Sequence, residues 1–385
     1  VEPPCKYYWK CGGCQLQHMT YDAQLAMKQS QVTNLFHRKA QFSNTIINKT
    51  IGMNHPWHYR NKSQLPIGKD RDGKAIIGYY RQRSHDIIDM DSCLIQDDIH
   101  QDIMNHVKQW IIDYDISVYN ECTKKGLLRH LVIRTGYYSD DKMVVFVTNG
   151  KNFQQASILV EKLKETFPNI ASIKQNINNS HSNVIMGQQS VTLYGKDKIA
   201  DQLSDTTFKI SDQSFYQINS SQTEKLYQKA IEYAQLTGEE TVLDTYCGIG
   251  TIGLYMASVA KHVYGVEVVP SAIKDAQQNA TLNGFENTTF VCGKAEEVII
   301  KWKQQGIKPD VVMVDPPRKG CDETFLQTLL KLNPKRIVYI SCNPSTQQRD
   351  AQILDSQYEL QEITPVDMFP QTTNVETVAL FERKS

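Results

Sequence analysis

Cys342 is the residue of this chain best placed to act as a nucleophile. It stands in Ser341-Cys342-Asn343-Pro344, directly after Arg336-Ile-Val-Tyr-Ile340, which reads as a short buried strand. Pro344 stops ladder pairing and turns the chain. The cysteine therefore falls at the carboxyl end of a strand, the edge where open parallel α/β sheets keep their active sites. A thiolate there could add to an electrophilic carbon and leave again; a buried core cysteine is the competing reading. Asp315 is a second candidate, at the end of Asp310-Val-Val-Met-Val-Asp315-Pro-Pro-Arg318. Two ring-locked residues hold its carboxylate at the sheet edge, where it could accept a hydrogen bond from a substrate amide or a cofactor. Asp-Pro-Pro followed by an aromatic would suggest methylation of an adenine amino group, but Arg318 follows here. A third constellation is Cys5, Cys11-Gly-Gly-Cys14 and the distant Cys93. Four thiolates suit zinc or an iron–sulfur cluster. The spacing leaves that choice open, with redox-inert free thiols as the bland alternative.

The elements that must position these groups change character along the chain. From Thr241 onward strands and helices alternate strictly, which signals a parallel sheet with crossover helices. Thr241-Val-Leu-Asp-Thr-Tyr246-Cys-Gly248-Ile-Gly250 reads as a buried strand entering a Gly-rich turn, with a helix over Thr251 to Ala260. The glycines let backbone approach a ligand closely. The next strand, His262-Val-Tyr-Gly-Val-Glu267, ends in an acid 19 residues after Gly248, the usual acceptor for ribose hydroxyls. Because Gly253 supplies the third glycine, a dinucleotide enzyme stays formally open; Asp-x-x-Cys-Gly-x-Gly followed by Val-Glu is the grammar of S-adenosylmethionine (SAM) methyltransferases. Before this region, Ser214-Phe-Tyr-Gln217-Ile-Asn219 precedes a helix beginning near Ser220 or Ser221. The earlier half reads as mixed α+β, with Met143–Thr148 pairing a strand near Leu128–Arg134 and a helix from Asn152 to Phe167. The expected organisation is two domains, residues 1–205 and 206–385.

Composition narrows the function classes. The 385 residues carry 42 Lys+Arg and 42 Asp+Glu, so no wholesale polyanion-binding surface is indicated. Local patches must serve instead. From Trp57 to His85, seven cations (Arg60, Lys62, Lys69, Arg71, Lys74, Arg81, Arg83) face two Asp (70 and 72), interleaved with aromatics. Such a stretch could grip phosphates and stack on unpaired bases, although a solvated hairpin face looks similar. No run approaches the roughly 20 apolar residues of a membrane span, and Val1 opens no signal peptide. Nine cysteines, an odd count, argue against a secreted disulfide framework and for free or metal-bound thiols in a reducing cytoplasm.

Taken together, Asp315-Pro-Pro-Arg318, Ser341-Cys342-Asn-Pro344 and Val375-Glu376-Thr resemble the RNA uracil-5-methyltransferase family. With Cys5, Cys11, Cys14 and Cys93, the chain resembles its ribosomal-RNA branch. The resemblance implies an α/β fold whose C-terminal Rossmann-like SAM methyltransferase domain follows an N-terminal domain bearing a four-iron four-sulfur (4Fe-4S) cluster on those four cysteines. It implies methylation of uridine carbon 5 in 23S ribosomal RNA, with Cys342 as nucleophile and Glu376 as proton acceptor. Gln217, Tyr246, Glu267 and Asp315 would line the SAM site. Cys122, Cys247, Cys292 and Cys321 match no functional position and read as structural. Asn374 stands where relatives often carry His. Relatives also begin with a small RNA-binding β-barrel (TRAM) domain, and the resemblance places the start of this chain where that domain would end. A monomer acting in the cytoplasm without a membrane is expected. Transfer RNA is the alternative substrate, and a non-catalytic iron–sulfur RNA-binding protein the alternative class.

Overall fold

In the computed structural model of residues 1–385, the strand expected at Arg336–Ile340 spans Arg336–Ser341 and lies inside an eight-stranded sheet. Across that sheet the order is Ile46–Ile47, Tyr358–Val366, Glu376–Arg383, Arg336–Ser341, Val311–Val314, Thr241–Thr245, His262–Glu267, Thr288–Cys292. The last five pair in parallel, joined by helices that cover both faces, so their side chains alternate between two apolar layers. Val242, Val311, Met313, Val338 and Ile340 face one layer with helix Ser220–Ala234. Leu243, Val312, Val314, Ile337 and Tyr339 face the other, under Phe325, Leu326 and Leu329 of helix Glu323–Leu332. Each such fully buried aliphatic side chain contributes roughly 1.5–3 kcal/mol.

Glu376–Arg383 is the exception. It inserts antiparallel to Arg336–Ser341, with Ser341 opposite Thr377. Its first residue therefore shares the edge at which the parallel strands end. On its other side it pairs antiparallel with Tyr358–Val366, which in turn pairs with Ile46–Ile47.

A second sheet of seven strands runs in the order Ile87–Asp89, Ala75–Tyr80, Lys62–Lys69, Leu128–Thr135, Lys142–Thr148, Ile170–Ile177, Gln189–Gly195. The expected pairing of Met143–Thr148 with the strand near Arg134 is present, and helix Ala156–Thr166 makes the parallel crossover to Ile170–Ile177. The boundary expected at 205/206 falls in the turn of a hairpin, Ile199–Leu203 to Thr206–Ile210, whose side chains join the catalytic-sheet core. Residues well before it also belong to that core. Val32 and Phe36 of helix Tyr21–His37, with Phe42, pack in the same layer as Leu243 and Val312. A two-residue edge strand carries no readable periodicity, which is why this early segment is invisible to pattern reasoning. No helix is long and apolar enough to cross a membrane.

Candidate active site

Five ionisable groups line up along one edge of the catalytic sheet because five adjacent strands deliver them there. In strand order they are Glu376, Cys342, Asp315, Asp244 and Glu267. Ser341 and Thr377 are opposite partners, so the next rung sets Cys342 across from Glu376. Opposite residues of an antiparallel pair stand roughly 5 Å apart at Cβ. The rung is braced: Thr377 Oγ1 donates to Gln347 Oε1 (2.8 Å), and Gln347 Nε2 donates to Tyr339 O (2.9 Å). Cys342 is half-buried, and the N-cap Asn343 behind it ties to Arg318 O through Nδ2 (3.2 Å).

The sequence leaves Glu376 as an acid in a loop running into a strand. The structure makes it the first strand residue, only 5% exposed. Burial pushes its carboxyl up to about 8, and the neighbouring Asp315 adds to the rise. Asp315 itself is raised to about 7 by burial alone, with no cation or donor offsetting it. Asp244 is raised to about 8 by burial, then by Asp315 and Glu267, while a bond from Gly253 N (2.9 Å) to its Oδ2 opposes the rise. Its Oδ1 has no partner. Cys342 is pushed up to about 11 by burial, then by Glu376 and Asp315; the Arg318 guanidinium pulls it down. A row of acids with little cationic balance is thus the electrostatic signature of this edge. A thiol needs an electropositive setting to ionise, and Arg318 with a backbone hydrogen bond supplies only part of one.

At the Gly-rich end, Gly248 (φ +54°) and Gly250 (φ +84°) take left-handed conformations, and a Cβ on Gly248 would project into open space. That leaves a cradle of exposed backbone. The Glu267 carboxylate accepts from Gly248 N (3.3 Å), Val268 N (2.7 Å) and Val269 N (3.1 Å), which fixes it at the strand tip. Tyr246 is also left-handed (φ +61°), and its ring packs on Phe325, centroids 5.5 Å apart, inside the core. What it offers the cradle is backbone. The half-buried Gln217 is held through its carbonyl, which accepts from Nδ2 of Asn61, the residue just before strand Lys62–Lys69 (2.8 Å). Two residues on, Asn219 Nδ2 donates to Met368 O (3.1 Å), so this segment abuts the loop that leads to Glu376. Asp244 and Arg318 were missed as site residues, although both lie inside motifs read from the sequence.

Cys5, Cys11, Cys14 and Cys93 line one cavity of about 190 Å³, together with Tyr8, Arg60 and Tyr79. Burial pushes the Cys14 thiol up to about 12 and the Cys93 thiol up to about 11. No three His, Cys, Asp or Glu side chains are grouped so as to hold a metal ion. Of the remaining cysteines, Cys247 and Cys321 are buried, whereas Cys122 and Cys292 are exposed. The basic stretch divides as well. Lys69, Arg71, Lys74, Arg81 and Arg83 are exposed on and around a hairpin. Arg129 and Arg134 of the neighbouring strand are buried and spend their guanidinium groups on the carbonyls of Asn178, Ser180, Asp212 and Ser214.

A profile described as tRNA (Uracil-5-)-methyltransferase matches residues 20–384. A chain from Staphylococcus epidermidis (strain ATCC 12228 / FDA PCI 1200), named an uncharacterized RNA methyltransferase, is 76% identical over 384 residues, covering 100% of this chain and 84% of its own length. A Staphylococcus aureus (strain MRSA252) chain of similar name is 73% identical, with 100% and 85% coverage. Among solved structures, the Pyrococcus abyssi tRNA (uracil-54, C5)-methyltransferase in complex with S-adenosyl-L-homocysteine superposes with a TM-score of 0.79 at 31% identity, over 96% of this chain and 86% of that one.

Proposed function

This chain belongs to the tRNA (uracil-5-)-methyltransferase family, a SAM-dependent RNA methyltransferase family, and from that footing we propose that it methylates carbon 5 of a uridine in 23S ribosomal RNA. The observation that carries the reading is the antiparallel register, ending with Ser341 opposite Thr377, that brings Cys342 and Glu376 to the edge where Asp315 also lies.

Uracil carbon 5 is a weak nucleophile. Addition of the Cys342 thiolate to carbon 6 makes an enolate in which carbon 5 is nucleophilic. SAM, when bound, supplies the methyl group that carbon 5 takes. Glu376, ionised, then removes the proton left on carbon 5, the enolate re-forms, and the carbon 6–sulfur bond breaks to release Cys342. A base held near 8 is matched to such a transfer close to neutral pH. The open Gly248 cradle, the fixed Glu267 carboxylate and the orphaned Asp244 Oδ1 fit a nucleoside-bearing cation. Gln217 and Asp315 complete the proposed set with the Tyr246 backbone. The target base must leave its stack to be reached from both faces.

In the same reading Cys5, Cys11, Cys14 and Cys93, which line one cavity, would hold a 4Fe-4S cluster, supplying on ionisation the thiolate donors that iron–sulfur ligation requires. In this reading the cluster is structural, since methyl transfer moves no net electrons. The four-cysteine set also favours the ribosomal branch. Transfer RNA is favoured by the likeness to the Pyrococcus abyssi enzyme. Purified protein assayed with labelled SAM on 23S and transfer RNA separates the two, and Cys342→Ala should abolish incorporation while SAM still binds. Full activity in that variant would sink the mechanism.

A further inference from the structure

The loop between Val366 and Glu376 sets where the proposed base stands, and it is held from outside the catalytic sheet. Gln371, 2% exposed, is its anchor. It adopts φ +71°, a left-handed conformation that costs a non-glycine residue energy and persists only when its surroundings over-determine it. Those surroundings come from the first segment of the chain. Gln15 N and Leu16 N both donate to Gln371 O (2.9 Å each). Gln24 and Gln371 pair reciprocally: Gln24 Nε2 donates to Gln371 Oε1 (2.9 Å), and Gln371 N donates to Gln24 Oε1 (3.1 Å). Gln371 Nε2 reaches Pro56 O (3.5 Å), and Tyr59 Oη donates to Pro370 O (2.9 Å). Within the loop, Thr372 N and Oγ1 both donate to Phe369 O, which stiffens the remaining path to Glu376.

Gln15 directly follows Cys14, and its Nε2 donates to Gly12 O (2.8 Å) inside the Cys11–Cys14 turn. The two residues that bond the base loop, Gln15 and Leu16, thus lie one and two positions along the chain from Cys14 in the cavity wall. From this we infer that Gln371 is a positioning residue for Glu376, whose placement is set by the cysteine-lined lobe through Gln15 and Leu16 and by helix Tyr21–His37 through Gln24. The inference rests on Glu376 being the base. It gives the lobe a role in the reaction: it helps hold one carboxylate in reach of carbon 5.

The test uses the full chain with its metal content intact, uridine-containing RNA and labelled SAM. Gln371→Gly keeps the left-handed backbone and removes the side chain; Gln24→Leu keeps the volume and removes the reciprocal pair. Each should lower kcat about a hundredfold, the scale of a 1 Å misplacement, with KM for RNA and SAM affinity unchanged. Both should accumulate a methylated protein–RNA adduct on denaturing gels, because the steps before proton removal survive. Cys14→Ala should give the same adduct. A general loss of stability would lower binding and turnover together without an adduct, and that result overturns the inference. So does clean turnover in Gln371→Gly and Gln24→Leu; clean turnover in Cys14→Ala alone removes the lobe from it. Glu376→Gln serves as the reference: an adduct there but in none of the three variants leaves the base standing and the positioning claim refuted. No adduct in Glu376→Gln removes the base assignment and this inference with it.

Discussion

The charge balance around Cys342 makes a quantitative claim about the free protein. A cysteine nucleophile is commonly activated by nearby cations. Here burial and two carboxylates, Glu376 and Asp315, push the thiol up to about 11, against Arg318 and a backbone hydrogen bond. At pH 8, a thiol at its ordinary value of about 9 is about 10% ionised and one at about 11 about 0.1%, on the order of a hundredfold difference. Iodoacetamide reacts with the thiolate, so Cys342 should alkylate about a hundredfold more slowly than an unperturbed thiol at that pH. Removing a carboxylate should partly reverse this. In Glu376→Gln and Asp315→Asn the reaction should quicken, without reaching the unperturbed rate, because burial is the larger cause. Arg318→Met should slow it further. Peptide mapping by mass spectrometry after timed alkylation, from pH 7 to 10, isolates Cys342 from the other eight cysteines. A midpoint at or below pH 9 in the free protein, or carboxylate variants that alkylate more slowly, would refute the account. If it holds, Cys342 is kept dormant until a cationic ligand balances the acids.

Two further outcomes follow from the same structure. Lys28 and Asp367 form an ion pair at 2.6 Å with both side chains fully buried, Lys28 also donating to Phe369 O. Lys28→Met strands the Asp367 charge and should cost about 3–5 kcal/mol in urea denaturation; a loss under roughly 1 kcal/mol, typical of exposed pairs, would contradict it. The second concerns pH. Asp244, Asp315 and Glu376 hold their protons to about 8, 7 and 8 when folded but ionise near 4 when unfolded. Between those limits the folded state binds more protons, so stability is greatest below the unfolded values and falls as pH rises towards 8. Each group contributes on the order of 1.4 kcal/mol per pH unit over its own window. Glu376→Gln should flatten the decline measured by urea midpoints from pH 5.5 to 8. A ligand-free protein whose stability rises over that range would count against the burial of these acids.

Local pattern carried the catalytic sheet well. The alternation from Thr241, the strand into Cys342 and the acid at Glu267 all appear as read, because parallel strands under helices on both faces are continuous apolar runs that announce themselves. Glu376 is different in kind. Nothing near it in sequence says that its strand will run antiparallel beside Arg336–Ser341, and only that insertion turns a loop acid into a buried one. The same holds for Gln371, whose partners are Gln15, Leu16 and Gln24, the nearest of them 347 residues away along the chain. Cations show a different limit: Lys69, Arg71 and Lys74 are exposed around a hairpin, whereas Arg129 and Arg134 of strand Leu128–Thr135 satisfy carbonyls in the interior. Charge counts in a window cannot separate those two fates.

The way the first segment is built into the catalytic body also bears on the order of synthesis. Helix Tyr21–His37 and the strand Ile46–Ile47 emerge early, yet their partners, Tyr358–Val366 and the loop at Asp367–Gln371, come more than 300 residues later. Contacts so distant in sequence form late, since loop closure must precede them. Until strand Glu376–Arg383 has left the ribosome, Val32, Phe36 and the Lys28 ammonium lack their buried surroundings, and Cys342 lacks Glu376. A nascent chain holding only the parallel strands therefore lacks the proposed pair, and the early helix and the late strands must fold in one event to bring it together.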